Sequence, residues 1–329
     1  MNPTTQTIEL KDCRMIAELG EGGFGKVWHV EYGTTPISSA ALKMLRPDLV
    51  QNPLYKSRFD TENDLLHQLI GHAGVINPYT KVIEHQGQPY YLMELADYDL
   101  QKFSDMPSTT TDEKLEVFFQ ICEAIKAAHD LGVVHRDMHY GNVLIKRENS
   151  LYAAKLTDFG IAKVFTSGSD DLYTPGRQWG RMDTRAPETY FFLEEVADFN
   201  SYTIKSDLYG LGMILYFLLN GMPYDYAFNI TSSIRRYMNN AGVLEGTSRN
   251  SLDIPLFTAS ITNDQKKVHY DEWLKSRFIP NNYDFDVFAN GLTEERALKF
   301  QAVITKSCNI DSSKRYNNVS ELIAEVRAI

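Results

Sequence analysis

Val133-Val134-His135-Arg136-Asp137-Met138-His139-Tyr140-Gly141-Asn142-Val143-Leu144 says more about this chain than any other stretch. The apolar pairs at its ends, Val133-Val134 and Val143-Leu144, read as short buried strands. Between them His135-Arg136-Asp137 and Asn142 are expected on an exposed loop. An acid and an amide five residues apart can serve two jobs at one phosphate. The carboxylate orients a hydroxyl nucleophile, and the amide oxygen helps to hold a divalent metal.

Sixteen residues beyond Asn142 comes Asp158-Phe159-Gly160, behind the alternating run Leu151–Leu156. A His-Arg-Asp loop followed by Asp-Phe-Gly resembles the protein kinase family. The resemblance implies an α+β, bilobal fold. A small antiparallel-sheet N-lobe is expected over residues 1–96, and a larger, mainly helical C-lobe over 97–329.

Working back toward the N-terminus, Gly20, Gly22 and Gly25 fit GxGxxG, with Val27 two positions on. A dinucleotide-binding fold needs a helix straight after such glycines. Here Lys26-Val27-Trp28-His29-Val30 is β-prone, so the loop reads as a hairpin tip: either a plain glycine turn or a cover for phosphates. The next strand carries Lys43 within Ala40-Ala41-Leu42-Lys43-Met44-Leu45, where a buried ammonium calls for an anionic partner. Glu62 shares a helical face with Leu65, Leu66 and Leu69, an unexpected place for a purely solvated glutamate. By resemblance Lys43 contacts the α/β-phosphates of ATP and pairs with Glu62. Two further strand-like runs, Tyr79–Ile83 and Pro89–Glu94, flank the turn His85–Gln88. The second resembles the kinase hinge. The likeness implies that Met93 guards the back of an adenine pocket and that main-chain groups of Glu94 and Ala96 bond the adenine edge. It also implies that Val27, Ala41 and Leu144 sandwich the ring.

Forward of the central loop, the resemblance implies that Asp137 orients the acceptor and that Asn142 and Asp158 hold Mg²⁺. His135 is expected to pack rather than react. Thr110-Thr111-Asp112-Glu113 reads as a capping box opening a helix whose apolar stripe includes Leu115, Phe118, Cys122 and Ile125. Polar residues from Thr166 to Thr174 read as a mobile activation loop ahead of Ala186-Pro187-Glu188. Phosphorylation there, paired with Arg136, is expected to order it, the alternative being that Asp170 and Asp171, or nothing at all, fill that role. Asp207 opens an apolar helix and by resemblance braces the central loop, while Arg315 pairs with Glu188.

Composition narrows the function classes. A net charge of −10 speaks against nucleic-acid binding as the main activity. The longest apolar run, Leu208–Met222, is too short to span a membrane. Three scattered cysteines, Cys13, Cys122 and Cys308, and no secretory leader suit a reducing cytoplasm.

Two departures from the serine/threonine kinase pattern stand out. His139 replaces the lysine after the catalytic aspartate, as a partly charged stand-in or as a spacer, and Arg181 replaces a threonine before Ala-Pro-Glu. Tyrosine-kinase features are missing at both places. His139-Tyr140-Gly141-Asn142 also resembles small-molecule kinases of the aminoglycoside and choline type, which have glycine in place of Arg136. The expected activity is transfer of the γ-phosphoryl of ATP to a protein serine or threonine. A small-molecule kinase and a nucleotide-binding scaffold without turnover are the rivals. Residues 224–292 exceed what the family needs here, either as a docking surface for a partner or as an elaborated scaffold.

Overall fold

A computed structural model describes residues 10–22, 25–33, 36–149, 151–159, 163–164, 184–191, 204–224, 227–244, 258, 260–277, 287 and 291–329. Gly160, the 166–174 segment, Arg181 and much of the 224–292 segment lie outside the described residues.

The N-terminal lobe is built on five antiparallel strands, β1 (Cys13–Glu21), β2 (Gly25–Tyr32), β3 (Ser38–Leu45), β4 (Ile83–His85) and β5 (Gln88–Met93), in the order β1-β2-β3-β5-β4. The glycine-rich segment is the expected hairpin tip. Gly20 lies opposite Val27, Glu21 opposite Lys26, and the Gly22 amide donates to the Gly25 carbonyl at 2.8 Å. Central β3 is buried on both faces at Ala40, Ala41 and Leu42. Its period of two sorts the side chains. Ala40 and Leu42 join Val30, Tyr90 and Leu92 in a small outer cluster, while Ala41 joins Tyr91 and Met93 in the main core.

Helix α1 (Pro53–Gln68) crosses the inner face of this sheet. Asn52 caps it by accepting from the Leu54 amide, and Pro53 begins it where no amide is needed. Phe59, Glu62, Leu65 and Leu66 are on its buried side. The expected strand Tyr79–Ile83 is largely replaced by irregular chain, and β4 starts only at Ile83. The reason is local: the Tyr79 and Thr80 amides both donate to the Leu92 carbonyl, and the Leu92 amide donates to Thr80 Oγ1, so a side chain takes a ladder position.

The second lobe is mainly helical. It contains β6 (Tyr98–Asp99), α2 (Leu100–Asp105), α3 (Thr111–Asp130), β7 (Val133–Val134), β8 (Val143–Glu148), β9 (Leu151–Leu156) and β10 (Lys163–Val164). Helices α4 (Ile204–Asn220), α5 (Ala227–Asn240), α6 (Asn263–Leu274), α7 (Glu294–Ser307) and α8 (Val319–Arg327) follow. The capping box at Thr110 and Glu113 is formed. Helix α3 then buries Leu115, Phe118, Ile121, Cys122 and Ile125, and ends before Gly132, whose φ of +72° turns the chain into β7. Helix α4 is buried from Ser206 to Leu219, as befits a helix that is apolar on every side. Among the described residues no helix is long and apolar enough to cross a membrane.

Candidate active site

Strand register places the first group of residues. In the β3–β5 pairing Lys43 lies opposite Tyr91 and Ala41 opposite Met93, so all four face the same side. Helix α1 brings Glu62 onto that side. Lys43 Nζ donates to Glu62 Oε1 at 2.5 Å, and Tyr91 Oη donates to the same oxygen at 3.0 Å. Lys43 Nζ also lies 3.5 Å from Asp158 Oδ1, joining the two lobes through one ammonium. Burial opposes that charge, but Asp158 and Glu62 together outweigh it and hold Lys43 above the ordinary lysine range. Burial likewise raises Glu62, against the pull of Lys43.

The loop between β7 and β8 supplies the second group, and it is largely buried instead of exposed. His135, Met138, His139 and Asn142 are all buried. The cause is Asp207 on α4, almost fully enclosed, which accepts from the His135 amide through Oδ2 and from the Arg136 amide through Oδ1, each at 2.9 Å. Oδ2 also meets His129 Nε2 at 2.9 Å. This grip holds Arg136 at φ +70°, a region that side chains rarely occupy. Asp158 has φ +63°, a conformation that aspartate tolerates better. His135 packs, with its ring 4.7 Å from that of Phe159 and its Nε2 3.1 Å from the Thr157 carbonyl.

Within the loop, Asn142 Nδ2 donates to the Asp137 carbonyl at 2.9 Å and to Asp137 Oδ2 at 3.2 Å. The amide nitrogen is thereby committed, and the Asn142 carbonyl oxygen is directed elsewhere. His139 Nε2 lies 3.5 Å from Asp137 Oδ2, whereas Asp137 Oδ1 is buried without a hydrogen-bond partner. Burial pushes this carboxyl up, but His139, with His135 and Asn142, outweighs it, so Asp137 lies below the usual aspartate range.

The remaining predicted residues lie on β1, β2, β3, β5 and β8 or just beyond β1 and β5. Met93 and Ala41 are buried, while Val27 and Leu144 are partly buried against the core. The Glu94 amide donates to the Asn77 carbonyl at 2.8 Å, and its side chain is held by Lys146 at 2.8 Å and Lys155 at 3.3 Å. Glu94 and Ala96 both lie beyond the last residue of β5. A Cβ at Gly25 would stand 2.9 Å from the Met44 carbonyl oxygen, so packing demands glycine there. At Gly20 a Cβ would meet nothing within 4 Å, so no neighbour among the described residues excludes a side chain. Further off, Arg315 forms a bidentate pair with Glu188, both bonds at 2.7 Å, and donates to the Asn309 and Lys205 carbonyls.

Tyr91 and His129 are participants that the sequence reading did not single out. Tyr91 carried a usable signal, since it stands two residues before Met93 on the same strand face. His129 carried none, because its partner Asp207 is 78 residues away.

Known proteins carry the same arrangement of motifs. Residues 13–325 match the family profile of the protein kinase domain. The chain is similar to a probable serine/threonine-protein kinase PknB of Lactococcus lactis, 30% identical over 215 residues, covering 64% of this chain and 32% of that protein. It is also similar to the serine/threonine-protein kinase Pkn1 of Myxococcus xanthus, 32% identical over 218 residues, covering 64% and 29%. A third relative, the serine/threonine-protein kinase PknH of Mycobacterium tuberculosis, is 31% identical over 208 residues, covering 62% and 31%. The chain thus spans about a third of the length of these curated relatives. With a profile that runs almost from end to end, and with motifs far apart in sequence brought into contact, this chain belongs to the protein kinase family.

Proposed function

We propose that this protein transfers the γ-phosphoryl group of ATP to serine or threonine hydroxyls of a protein substrate. The observation that carries the reading is the state of Asp137. Its Oδ2 accepts from Asn142 Nδ2 and lies 3.5 Å from His139 Nε2, so the carboxylate is fixed in place and kept below the usual aspartate range, as a group that takes a hydrogen bond from an incoming hydroxyl needs to be. The relatives named serine/threonine-protein kinases favour a protein acceptor over a small molecule.

Asp137 orients the hydroxyl and takes its proton as the phosphoryl group moves. Lys43, held in place by Glu62 and Tyr91, presents its ammonium to the phosphates. Gly20, Gly22 and Gly25 let the hairpin backbone lie close over them. Met93, Val27, Ala41 and Leu144 enclose the adenine, with the Glu94 carbonyl and the Ala96 amide at its polar edge. The donor set suits Mg²⁺: Asp158 would offer a carboxylate and Asn142 its side-chain carbonyl oxygen, the hard oxygen donors that such an ion takes. When bound, Mg²⁺ neutralises charge developing on the phosphates. Catalysis is then positioning and electrostatics, with little covalent work for the protein.

We further propose an N-lobe over 1–96 and a C-lobe over 97–329, a cytoplasmic location, and a docking role for the 224–292 segment. No nucleic-acid or membrane partner belongs to this reading. Phosphorylation between Thr166 and Thr174 would pair with Arg136. The deciding experiment is transfer of labelled γ-phosphate from Mg·ATP by wild type and Asp137→Ala. The acceptors are the protein itself, generic proteins and a small-molecule panel. Phosphoserine or phosphothreonine made by wild type and lost in the variant is expected. Label on small molecules alone, or ATP binding with no transfer, overturns the proposal.

A further inference from the structure

His139 is in an unusual position for a histidine beside a reacting carboxylate, because its two ring nitrogens face different partners. Nδ1 accepts from the Gly141 amide at 3.0 Å, closing a tight local turn. An acceptor at Nδ1 leaves the ring proton on Nε2. That Nε2 lies 3.5 Å from Asp137 Oδ2, on the oxygen that also receives Asn142 Nδ2. The ring has little freedom to do otherwise. It is 8% exposed, its own carbonyl accepts from the Asn142 amide at 3.0 Å, and Tyr140 beside it is stacked on Phe217 of α4 with centroids 4.5 Å apart.

We infer that His139 is a positioning residue whose Nε2–H holds Asp137 Oδ2 and so fixes the one orientation in which the carboxylate meets the acceptor hydroxyl, while its Nδ1 separately maintains the turn at Gly141. At 3.5 Å the contact to Oδ2 is long for a hydrogen bond. Contacts of this kind commonly tighten when substrate is bound. Two carboxylate oxygens free to exchange places would present the hydroxyl in two geometries. Fixing one of them removes the unproductive alternative. The histidine is therefore more than a spacer: it supplies a directed donor on one edge and a structural acceptor on the other.

This inference rests on the proposed phosphotransferase reading, and the test separates the two. Glutamine places an amide N–H near the position of Nε2 but offers nothing at Nδ1, whereas asparagine offers an acceptor near Nδ1 and nothing at Nε2. Wild type, His139→Ala, His139→Gln and His139→Asn are compared for kcat and KM toward a protein acceptor, and for thermal stability. A lost hydrogen bond to a charged group corresponds to about a 10- to 100-fold rate effect. His139→Ala is expected to lose that much in kcat with KM for ATP unchanged. His139→Gln should recover most of the rate, and His139→Asn should recover stability but not rate. Equal rates for the Gln and Asn variants, or a loss that follows stability alone, overturn the inference while leaving the phosphotransferase reading intact. Absence of transfer by wild type overturns that reading instead. A long-range ¹H–¹⁵N spectrum at mildly alkaline pH gives a readout independent of activity. It should show the His139 proton on Nε2, and a proton on Nδ1 refutes the assignment.

Discussion

Replacing Asp207 by asparagine tests how the central loop is held. The carboxylate serves three donors: the Arg136 amide on Oδ1, and the His135 amide and His129 ring on Oδ2. Asparagine keeps the shape but has only one oxygen. In either orientation its NH₂ faces one of the two backbone amides, leaving a buried N–H without an acceptor, at a cost of about 1–3 kcal/mol. The surviving bond loses its ionic character, adding about 1 kcal/mol. His129 can compensate by accepting from the new NH₂, so it adds little. The sum is about 2–4 kcal/mol, and at about 2 °C per kcal/mol for a chain of this size the melting temperature should fall by about 4–8 °C. The loss should also be local. Arg136 is held at φ +70° by this contact, so the His135 and Arg136 amides should exchange with solvent faster than those of α4. Calorimetry and residue-resolved hydrogen exchange provide the measurement. An unchanged melting temperature with both amides still protected would refute the idea that Asp207 holds the loop.

Three other outcomes follow from particular contacts. A Cβ at Gly210 would stand 2.4 Å from Met138 Cβ and 2.6 Å from the Met138 carbonyl oxygen, so Gly210→Ala should cost about 1–3 kcal/mol and displace the loop, lowering phosphoryl transfer more than ATP affinity. Arg315→Met strands Glu188 in a buried site and should destabilise the protein by about 3–5 kcal/mol in denaturant titration, and a loss below about 1 kcal/mol would contradict the pair's structural role. Burial raises the Glu94 carboxyl, but Lys146 and Lys155 outweigh it, so its folded pKa lies below the unfolded one. Its stabilisation is therefore present at neutral pH and is lost as pH falls through the folded value. Glu94→Gln should lower the melting temperature at pH 7, with an effect that shrinks as pH falls through the folded value, and an effect independent of pH would count against the ion pairs.

Much of this architecture was legible in the chain because its signals are local. The glycines at 20, 22 and 25 before a β-prone run announce a hairpin, since a hairpin tip is decided by residues adjacent in sequence. Thr110 and Glu113 announce a helix start for the same reason, and Glu62 on an apolar helical face announces a buried acid. The motifs at 135–142 and 158–159, with their order along the chain, carried the resemblance that implied two lobes. The strand expected at 79–83 failed because Thr80 Oγ1 competes for the Leu92 amide, and no propensity encodes such a side-chain substitution. The loop expected in solvent is buried because Asp207, 72 residues on from His135, reaches across from α4, and because Gly210 lets Met138 lie directly against that helix. Resemblance named Asp207 as a brace, but which oxygen receives which amide, and the recruitment of His129, depend on the approach of distant segments. The sequence by itself determined the elements and which residues carry the chemistry, because period, capping and spacing act over a few residues. Only the tertiary structure decided that Tyr91 steadies Glu62 and that Lys43 bridges Glu62 and Asp158, because each requires groups from separate elements to meet at 2.5–3.5 Å.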